Sequence, residues 1–212
     1  MFDLDRTLIP GSSFGIFGRA LVRHGLVARR QVARHAVLEA TFRRRGLKTA
    51  RIDGLVQDLL AVAAGADAAP LLAVARSMGP TLAARVHPTA RWLLDMHRDA
   101  GHLCVIVSAS PHELVEAVAV ELGADRAVGT RIAVEGGLLT GRLDGPFCYG
   151  DGKLVAIDRE LGATDLSGAT GYADSRSDAP LLERCGTAVA VNPDSDLRRL
   201  ARDRGWPIMC FG

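Results

Sequence analysis

Short apolar runs and helical segments alternate from about residue 86 to the end of the chain, and this alternation limits the possible folds more than any other feature. The runs 103–107, 169–173 and 187–191 are short and mostly apolar, and each is followed by a polar turn and a helical pattern. Strands of this kind are typical of a parallel sheet covered by helices on both faces. A β-hairpin is predicted separately, with arms at 127–134 and 138–143 around two glycines. The sequence therefore predicts an α/β fold with one parallel sheet between two helical layers.

A second block has a different pattern. Between residues 14 and 85 the apolar residues recur at helical spacing, and no strand signal of comparable strength occurs. The block is about 70 residues long, which is too long for a simple connection between sheet elements. We therefore predict an inserted helical domain. The predicted core consists of residues 1–13 and 86–212, and the predicted cap of residues 14–85.

The composition is that of a globular protein. The 212 residues are 48% hydrophobic and 24% charged, with a formal net charge of +2, which excludes disordered and fibrous chains. No apolar stretch of membrane-spanning length is present, and the N-terminus lacks the pattern of a signal peptide. We therefore expect a cytoplasmic protein with no transmembrane segment. Four cysteines without metal-site spacing predict free thiols. We expect no nucleic-acid partner, and the oligomeric state stays open.

Carboxylates are placed where two predicted strands end. Asp3 and Asp5 alternate with buried-type residues near the N-terminus, and Asp174 follows the run 169–173. An extended segment would place Asp3 and Asp5 on one side, about 6.5–7 Å apart along the chain. Such carboxylates repel each other unless a cation lies between them or one keeps its proton. Because Mg²⁺ binds carboxylate and phosphate oxygens, we predict a Mg²⁺ site with Asp174 as a third ligand.

A hydroxyl and an ammonium occupy comparable positions. Ser108 ends the most apolar strand, just before a helix that begins at Pro111, so its hydroxyl and nearby N–H groups could bind an anion. A plain helix cap is an equally compatible role for Ser108. Lys153 stands in the first turn of a predicted helix, where the helix dipole disfavours a cation, so a partner anion is expected.

These segments together resemble the four motifs of the haloacid dehalogenase-like hydrolases, in the same order along nearly the whole chain. Further segments are similar to subfamily IB, which includes phosphoserine phosphatase. The resemblance implies a Rossmann-like three-layer α/β/α core and an inserted helical cap of the C1 type. The segments that carry it are Phe2-Asp3-Leu4-Asp5-Arg6-Thr7-Leu8, Val107-Ser108-Ala109-Ser110-Pro111, Cys148-Tyr149-Gly150-Asp151-Gly152-Lys153, Tyr172-Ala173-Asp174-Ser175-Arg176-Ser177-Asp178 and Val191-Asn192-Pro193-Asp194.

The resemblance also implies a role for each matching residue. Asp3 would be the nucleophile that accepts a phosphoryl group, and Asp5 the general acid and then base. Asp3 and Asp174 would bind Mg²⁺ directly, and Asp5 would bind it through its backbone carbonyl. Asp178 would lie next to these ligands without binding the ion itself. The residues that would hold the phosphoryl group are Thr7, Ser108, Ala109 and Lys153. An acid at position 5 favours a phosphatase over a dehalogenase, because a departing halide needs no proton.

Two departures bear on the substrate. Phosphoserine phosphatases have a Glu nine residues after the nucleophile, where this chain has Ser12, and an Asn where it has Ser177. These differences argue against phosphoserine and favour another small phosphorylated metabolite. Two alternatives stay open: a phosphotransferase of the same fold, and a non-catalytic regulatory or binding protein.

Charge is concentrated in one segment. Residues 19–51 contain ten cationic residues against a single acid, Glu39. If this segment covers the site, Arg43, Arg44 and Arg45 could attract a polyanionic or phospholipid-like substrate. The alternative, which we favour, is that these arginines form solvated faces of amphipathic helices. Peripheral contact with lipid is thus conceivable but not favoured.

Overall fold

A computed structural model describes residues 1–29, 56, 60–61 and 63–211. The strands are β1 (Phe2–Asp3), β2 (Val105–Pro111), β3 (Arg126–Thr130), β4 (Ile132–Glu135), β5 (Leu138–Leu143), β6 (Thr170–Ala173), β7 (Thr187–Val191) and β8 (Ile208–Met209). Six of them are parallel and form one sheet in the order β3-β2-β1-β6-β7-β8, and β4 and β5 form an antiparallel hairpin.

Helices cover both faces of the sheet, which confirms the predicted three-layer α/β/α architecture. Strand residues alternate between the two faces, so that Ile106 packs with one helical layer and Val105 and Val107 with the other. The first layer contains α1 (Ser13–Arg23), α2 (Ala68–Ser77), α3 (Gly79–Ala83), α4 (Pro88–Asp99) and α5 (His112–Leu122). The second contains α6 (Asp151–Leu161), α7 (Ala179–Arg184) and α8 (Ser195–Arg204).

The local sequence accounts for the helix boundaries. Helix α8 begins at the N-cap Asp194, whose carboxylate accepts a hydrogen bond from the Leu197 N–H, and ends at Gly205 in the left-handed conformation. Helix α4 begins with a proline at its first position, where the missing N–H costs no hydrogen bond. Among the described residues, no helix is long and apolar enough to span a membrane.

Two predicted strands differ from the observed ones. The run 103–107 was expected to be a strand, but β2 begins at Val105 and continues to Pro111, and Leu103 is 58% exposed. The predicted hairpin arm 127–134 is divided. Its first part is β3, which pairs with β2 in the main sheet, and its second part is β4. Apolar alternation could not separate them because both parts continue the same pattern.

The described parts of the block 14–85 are helical apart from turns and one bridge between Asp67 and Leu138. Helices α1, α2 and α3 share a hydrophobic cluster with the core helix α5. The hairpin contacts the same block, since the Gly65 N–H donates to the Leu139 carbonyl and the Leu139 N–H to the Ala66 carbonyl. The domain boundary at residues 14 and 85 stays a prediction. Arg43, Arg44 and Arg45 lie outside the described residues.

Candidate active site

The site lies at the carboxyl ends of the central strands. Strand β1 lies between β2 and β6 and ends at Asp3, which is paired with Val107. Ser108 follows Val107 directly, and Asp174 follows the last residue of β6. Parallel strands bring these carboxyl ends to one edge of the sheet, where open α/β folds bind ligands. The topology therefore places the predicted residues of three motifs side by side.

Asp3 is held by two neighbouring groups. Its side chain is only 8% exposed, and its Oδ1 lies 2.6 Å from the Lys153 ammonium nitrogen. The Thr7 hydroxyl donates to its Oδ2 over 3.1 Å. With one partner on each oxygen, the plane of the carboxylate is fixed. Its negative charge is also balanced by the buried cation, which compensates for its removal from water.

Lys153 reaches Asp3 because of the glycines that precede it. Gly150 has φ 56° and ψ −130°, a conformation that favours glycine, and α6 begins at the next residue. Gly152 packs so closely that an added Cβ would clash with the Phe147 carbonyl oxygen. This close approach buries the third residue of the helix, Lys153, whose side chain is 3% exposed. The dipole penalty expected for a cation there is offset by two carboxylates.

The second of those carboxylates belongs to Asp178, whose Oδ1 lies 2.6 Å from the Lys153 nitrogen. Burial alone would lower the pKa of Lys153, but Asp178 and Asp3 outweigh burial and raise that pKa above its usual value. The ammonium therefore stays charged at neutral pH. Burial raises the pKa of Asp178 to about 6, and the Lys153 cation opposes this rise.

Three buried carboxylates converge at this point. Ligand oxygens of Asp3, Asp174 and Asp178 all lie within 4.8 Å of one another. Burial, and then the negative charge of Asp3, raise the pKa of Asp174 to about 7. Arg6 opposes this rise, since its Nε lies 2.6 Å from Asp174 Oδ2. This is a set of hard oxygen donors with excess negative charge, which suits a divalent cation such as Mg²⁺.

Asp5 has a different contact from Asp3. It is not a member of the carboxylate cluster found among the described residues. Its Oδ1 accepts a hydrogen bond of 2.6 Å from the backbone N–H of Ser13, at the start of α1. The chain turns directly after Asp5, at Arg6, which has φ 62°. The expected placement of Asp3 and Asp5 on one side of an extended segment stays a prediction.

The remaining predicted residues also have defined positions. Ser108 is 1% exposed and lies within β2, so it does not cap the following helix. Its Oγ accepts a hydrogen bond of 3.2 Å from the Ser110 N–H. The Ala109 carbonyl accepts from the Thr130 hydroxyl over 2.7 Å, which fixes the backbone of β2 beside Ser108. The second motif is thus held rigidly by its neighbours.

Two residues considered for substrate choice have local partners. Ser12 is the N-cap of α1, and its hydroxyl accepts from the Gly15 N–H over 3.2 Å. The hydroxyl of Ser177 lies 2.9 Å from that of Ser175. Sequence reasoning missed two other residues at the site, Arg6 and Ser13. Arg6 stands inside the first motif and carried a signal, since it is a cation directly after two acids, whereas Ser13 carried none.

The cysteines have no part in this chemistry. Cys104, Cys148 and Cys185 are buried free thiols, as predicted, and Cys210 is exposed. Burial raises the pKa of Cys148 to about 12, so its thiol stays protonated at neutral pH.

Comparisons with known proteins agree with the geometry. A family model described as haloacid dehalogenase-like hydrolase matches residues 1–183. "Phosphoserine phosphatase SerB1" of Mycobacterium tuberculosis is 37% identical over 99% of this chain and 70% of that protein. "Inhibition of morphological differentiation protein" of Streptomyces azureus is 39% identical over 99% of this chain and 77% of that protein. A crystal structure of a protein with unknown function from Bordetella pertussis is 26% identical and superposes with a TM-score of 0.82 over 98% of this chain and 96% of that one. The chain belongs to the haloacid dehalogenase-like hydrolases, and it is an enzyme of their phosphatase branch.

Proposed function

We propose that this protein is a Mg²⁺-dependent phosphomonoesterase that forms a phosphoaspartyl intermediate on Asp3. The observation that carries the proposal is the environment of Asp3: a carboxylate that is 8% exposed, with Lys153 2.6 Å from one oxygen and the Thr7 hydroxyl 3.1 Å from the other. Catalysis of phosphoryl transfer consists mainly of positioning and charge neutralisation. The surroundings of Asp3 provide both.

In the first step, an oxygen of Asp3 attacks phosphorus and forms an acyl phosphate, while the bond from phosphorus to the leaving oxygen breaks. Lys153 neutralises charge on the phosphoryl oxygens. Ser108 accepts a hydrogen bond from the Ser110 N–H, which leaves its hydroxyl proton to be donated to the phosphoryl group. Ala109 follows Ser108 directly in β2, so its backbone is next to the same phosphoryl group. Thr7 was expected to bind phosphate, but its hydroxyl donates to Asp3, so we assign it to orienting the nucleophile.

Asp5 moves the proton in both steps. Its carboxylate accepts a hydrogen bond from the Ser13 N–H at the start of α1, and we assign it to the leaving group, on the side of the phosphoryl group opposite to the attacking oxygen of Asp3. As an acid it protonates the leaving oxygen. As a base it then accepts a proton from the water that attacks the acyl phosphate, and Asp3 and inorganic phosphate are released. A positioned acid or base of this kind contributes about 10²–10⁴-fold.

The carboxylates fit a resident Mg²⁺. Asp3 and Asp174, with the backbone carbonyl of Asp5 implied by the family resemblance, would hold the ion, and Asp178 would orient Lys153 beside it. When bound, Mg²⁺ would neutralise charge on a phosphoryl oxygen. The fit rests on the donor set, since three buried carboxylates within 4.8 Å of one another carry more negative charge than Lys153 and Arg6 balance.

We propose a small phosphorylated metabolite other than phosphoserine as the substrate. Ser12 stands where phosphoserine phosphatases have a Glu for the substrate ammonium, and its hydroxyl is engaged as the N-cap of α1. No acidic residue is present in the first turn of this helix. The relative named phosphoserine phosphatase makes phosphoserine the obvious compound to compare. A Ser12→Glu variant should gain activity toward phosphoserine relative to phosphate esters without an ammonium.

The direct test is hydrolysis of p-nitrophenyl phosphate. We expect turnover with Mg²⁺, none with EDTA, and none in Asp3→Asn, which keeps the shape of the side chain. An Asp144→Asn variant alters an exposed carboxylate paired with Arg159 and should match the parent. A folded protein without Mg²⁺-dependent turnover would contradict the proposal.

The two alternatives predict other results. A phosphotransferase would release p-nitrophenolate faster in the presence of an alcohol acceptor, and the phosphoryl group would appear as a new ester of that alcohol and not as inorganic phosphate. A non-catalytic protein would not form the BeF₃⁻ adduct at Asp3, which resembles an acyl phosphate. Each catalytic group that the family resemblance implies is present, which favours an active enzyme. The cap at residues 14–85 and a cytoplasmic location remain parts of this proposal.

A further inference from the structure

A pair of buried serines connects two functional parts of the site. Ser13 is the first residue of α1 and is 0% exposed, and Ser110 on β2 is 2% exposed. Their hydroxyl oxygens lie 2.7 Å apart, close enough for a hydrogen bond in which either serine can be the donor. The bond joins residues 97 positions apart in the sequence. It therefore fastens the start of α1 to the central sheet.

Each serine also holds a predicted catalytic group through its backbone. The Ser13 N–H donates to Asp5 Oδ1 over 2.6 Å, and the Ser110 N–H donates to Ser108 Oγ over 3.2 Å. Three consecutive hydrogen bonds thus run from Asp5 through the serine pair to Ser108. Asp5 lies on a turn that contains a residue in the left-handed conformation, Arg6. The chain of bonds ties this turn to the rigid strand β2.

We propose that Ser13 and Ser110 are positioning residues for general acid catalysis, which fix Asp5 relative to the phosphoryl group held at Ser108. This inference rests on the proposed phosphatase function. As the bond from phosphorus to the leaving oxygen breaks, the Asp5 proton passes to that oxygen, and the proton is recovered from the attacking water. If the serine link is lost, Asp5 is less well placed for this transfer, while Asp3, Lys153 and Thr7 keep their own contacts.

The dependence of rate on the leaving group tests the proposal. A leaving group such as p-nitrophenolate departs readily without a proton, whereas phenolate and alkoxides need one. The quantity to compare is kcat/KM, which reports formation of the acyl phosphate and release of the leaving group but not the later attack of water. We expect Ser13→Ala and Ser110→Ala to lower kcat/KM about 10- to 100-fold for phenyl and alkyl phosphates, a part of the contribution of a positioned acid. For p-nitrophenyl phosphate we expect kcat/KM to fall less than about 3-fold, because little acid assistance is needed there. The double variant should be no slower than either single variant, since both remove the same bond.

Several controls separate this role from a structural one. Ser77→Ala removes a hydroxyl that only caps the Val74 carbonyl and should leave all rates unchanged. Asp5→Asn removes the acid itself, so this variant gives the strongest dependence of rate on leaving-group basicity that loss of acid catalysis can cause. Ser110→Cys keeps the approximate shape and a weak donor, so it provides a folded variant if Ser110→Ala is unstable, and it should give an intermediate slope of rate against leaving-group basicity.

The outcomes are distinct. An equal fall for all substrates would mean that the serines only support the fold, and unchanged rates would mean that the link does not position Asp5; either result overturns the inference and leaves the phosphatase function intact. If the wild-type protein hydrolyses none of the phosphates, the proposed function fails and the inference fails with it.

Discussion

Replacing Lys153 with methionine removes a cation that contacts both Asp3 and Asp178, each over 2.6 Å. The three side chains are 3%, 8% and 5% exposed, so water cannot replace the lost contacts. Breaking a buried ion pair costs about 3–5 kcal/mol, because an uncompensated buried charge remains. For a protein of this size, about 2–4 °C is lost per kcal/mol. We therefore expect the melting temperature at pH 8 to fall by roughly 6–20 °C.

The pH dependence follows from the carboxyl groups that remain. In the parent protein, burial already raises the pKa of Asp174 to about 7 and that of Asp178 to about 6, and losing Lys153 raises the latter further. A carboxyl whose pKa is raised in the folded state makes that state bind more protons than the unfolded state. The contribution of these carboxyls to stability is full below the pKa of an unfolded Asp, about 3.9, and is lost as the pH rises from there through the folded pKa. The difference between Lys153→Met and the parent should therefore narrow from pH 8 to pH 5.5.

Thermal and urea unfolding in EDTA measure both effects. Arg199→Met is a suitable control, since Arg199 forms a pair with Asp196 in which the side chains are 74% and 57% exposed. An exposed pair contributes at most about 1 kcal/mol, so this variant should stay close to the parent at each pH. A Lys153→Met protein as stable as the parent at pH 8, or one destabilised more at pH 5.5 than at pH 8, would refute the reasoning.

Three further predictions concern the same site. Thr7→Val removes the hydrogen bond to Asp3 Oδ2 and should lower kcat about 10-fold, since a hydrogen bond contributes about 1 kcal/mol or more. A lower kcat in steady-state kinetics, with an unchanged melting temperature, would confirm this prediction, and an unchanged kcat would contradict it. Gly152→Ala forces a Cβ against the Phe147 carbonyl and should lower the free energy of unfolding by roughly 2–4 kcal/mol, as measured by urea unfolding. Gly168→Ala is the control, because no atom lies within 4 Å of its added Cβ. Mg²⁺ should raise the melting temperature more at pH 8 than at pH 5.5, because protons compete for Asp174, whose pKa is about 7; an equal or larger rise at pH 5.5 would show that Asp174 does not bind the ion.

The sheet was predictable because its signal is local. Runs such as 187–191 lie between turn residues, and burial on both faces makes them almost entirely apolar. The division between β3 and β4 was not predictable, because only Arg131 separates the two strands and the pattern continues on either side of it. Strand β8 was also missed, since two residues, Ile208 and Met209, are too few to show a period.

The site was predictable as a set of residues but not as a geometry. The strand ends predicted that Asp3, Ser108 and Asp174 would meet, because parallel topology places these ends together. The contact of the Asp5 carboxylate with the start of α1 depends on the turn at Arg6, whose positive φ leaves no mark in the sequence. The contact between Ser13 and Ser110 spans 97 positions. Neither a motif nor a periodic pattern reports a contact of that kind.

Chemical trapping of the intermediate tests the central claim most directly. Asp5→Asn should slow hydrolysis of the acyl phosphate, so the variant is mixed with p-nitrophenyl phosphate and Mg²⁺, denatured, and treated with borohydride, which reduces an acyl phosphate to an alcohol. Peptide mass spectrometry should then find homoserine at position 3 in a substrate-dependent amount. Homoserine at position 174 instead, or an unmodified Asp3 in protein that turns over substrate, would contradict the account.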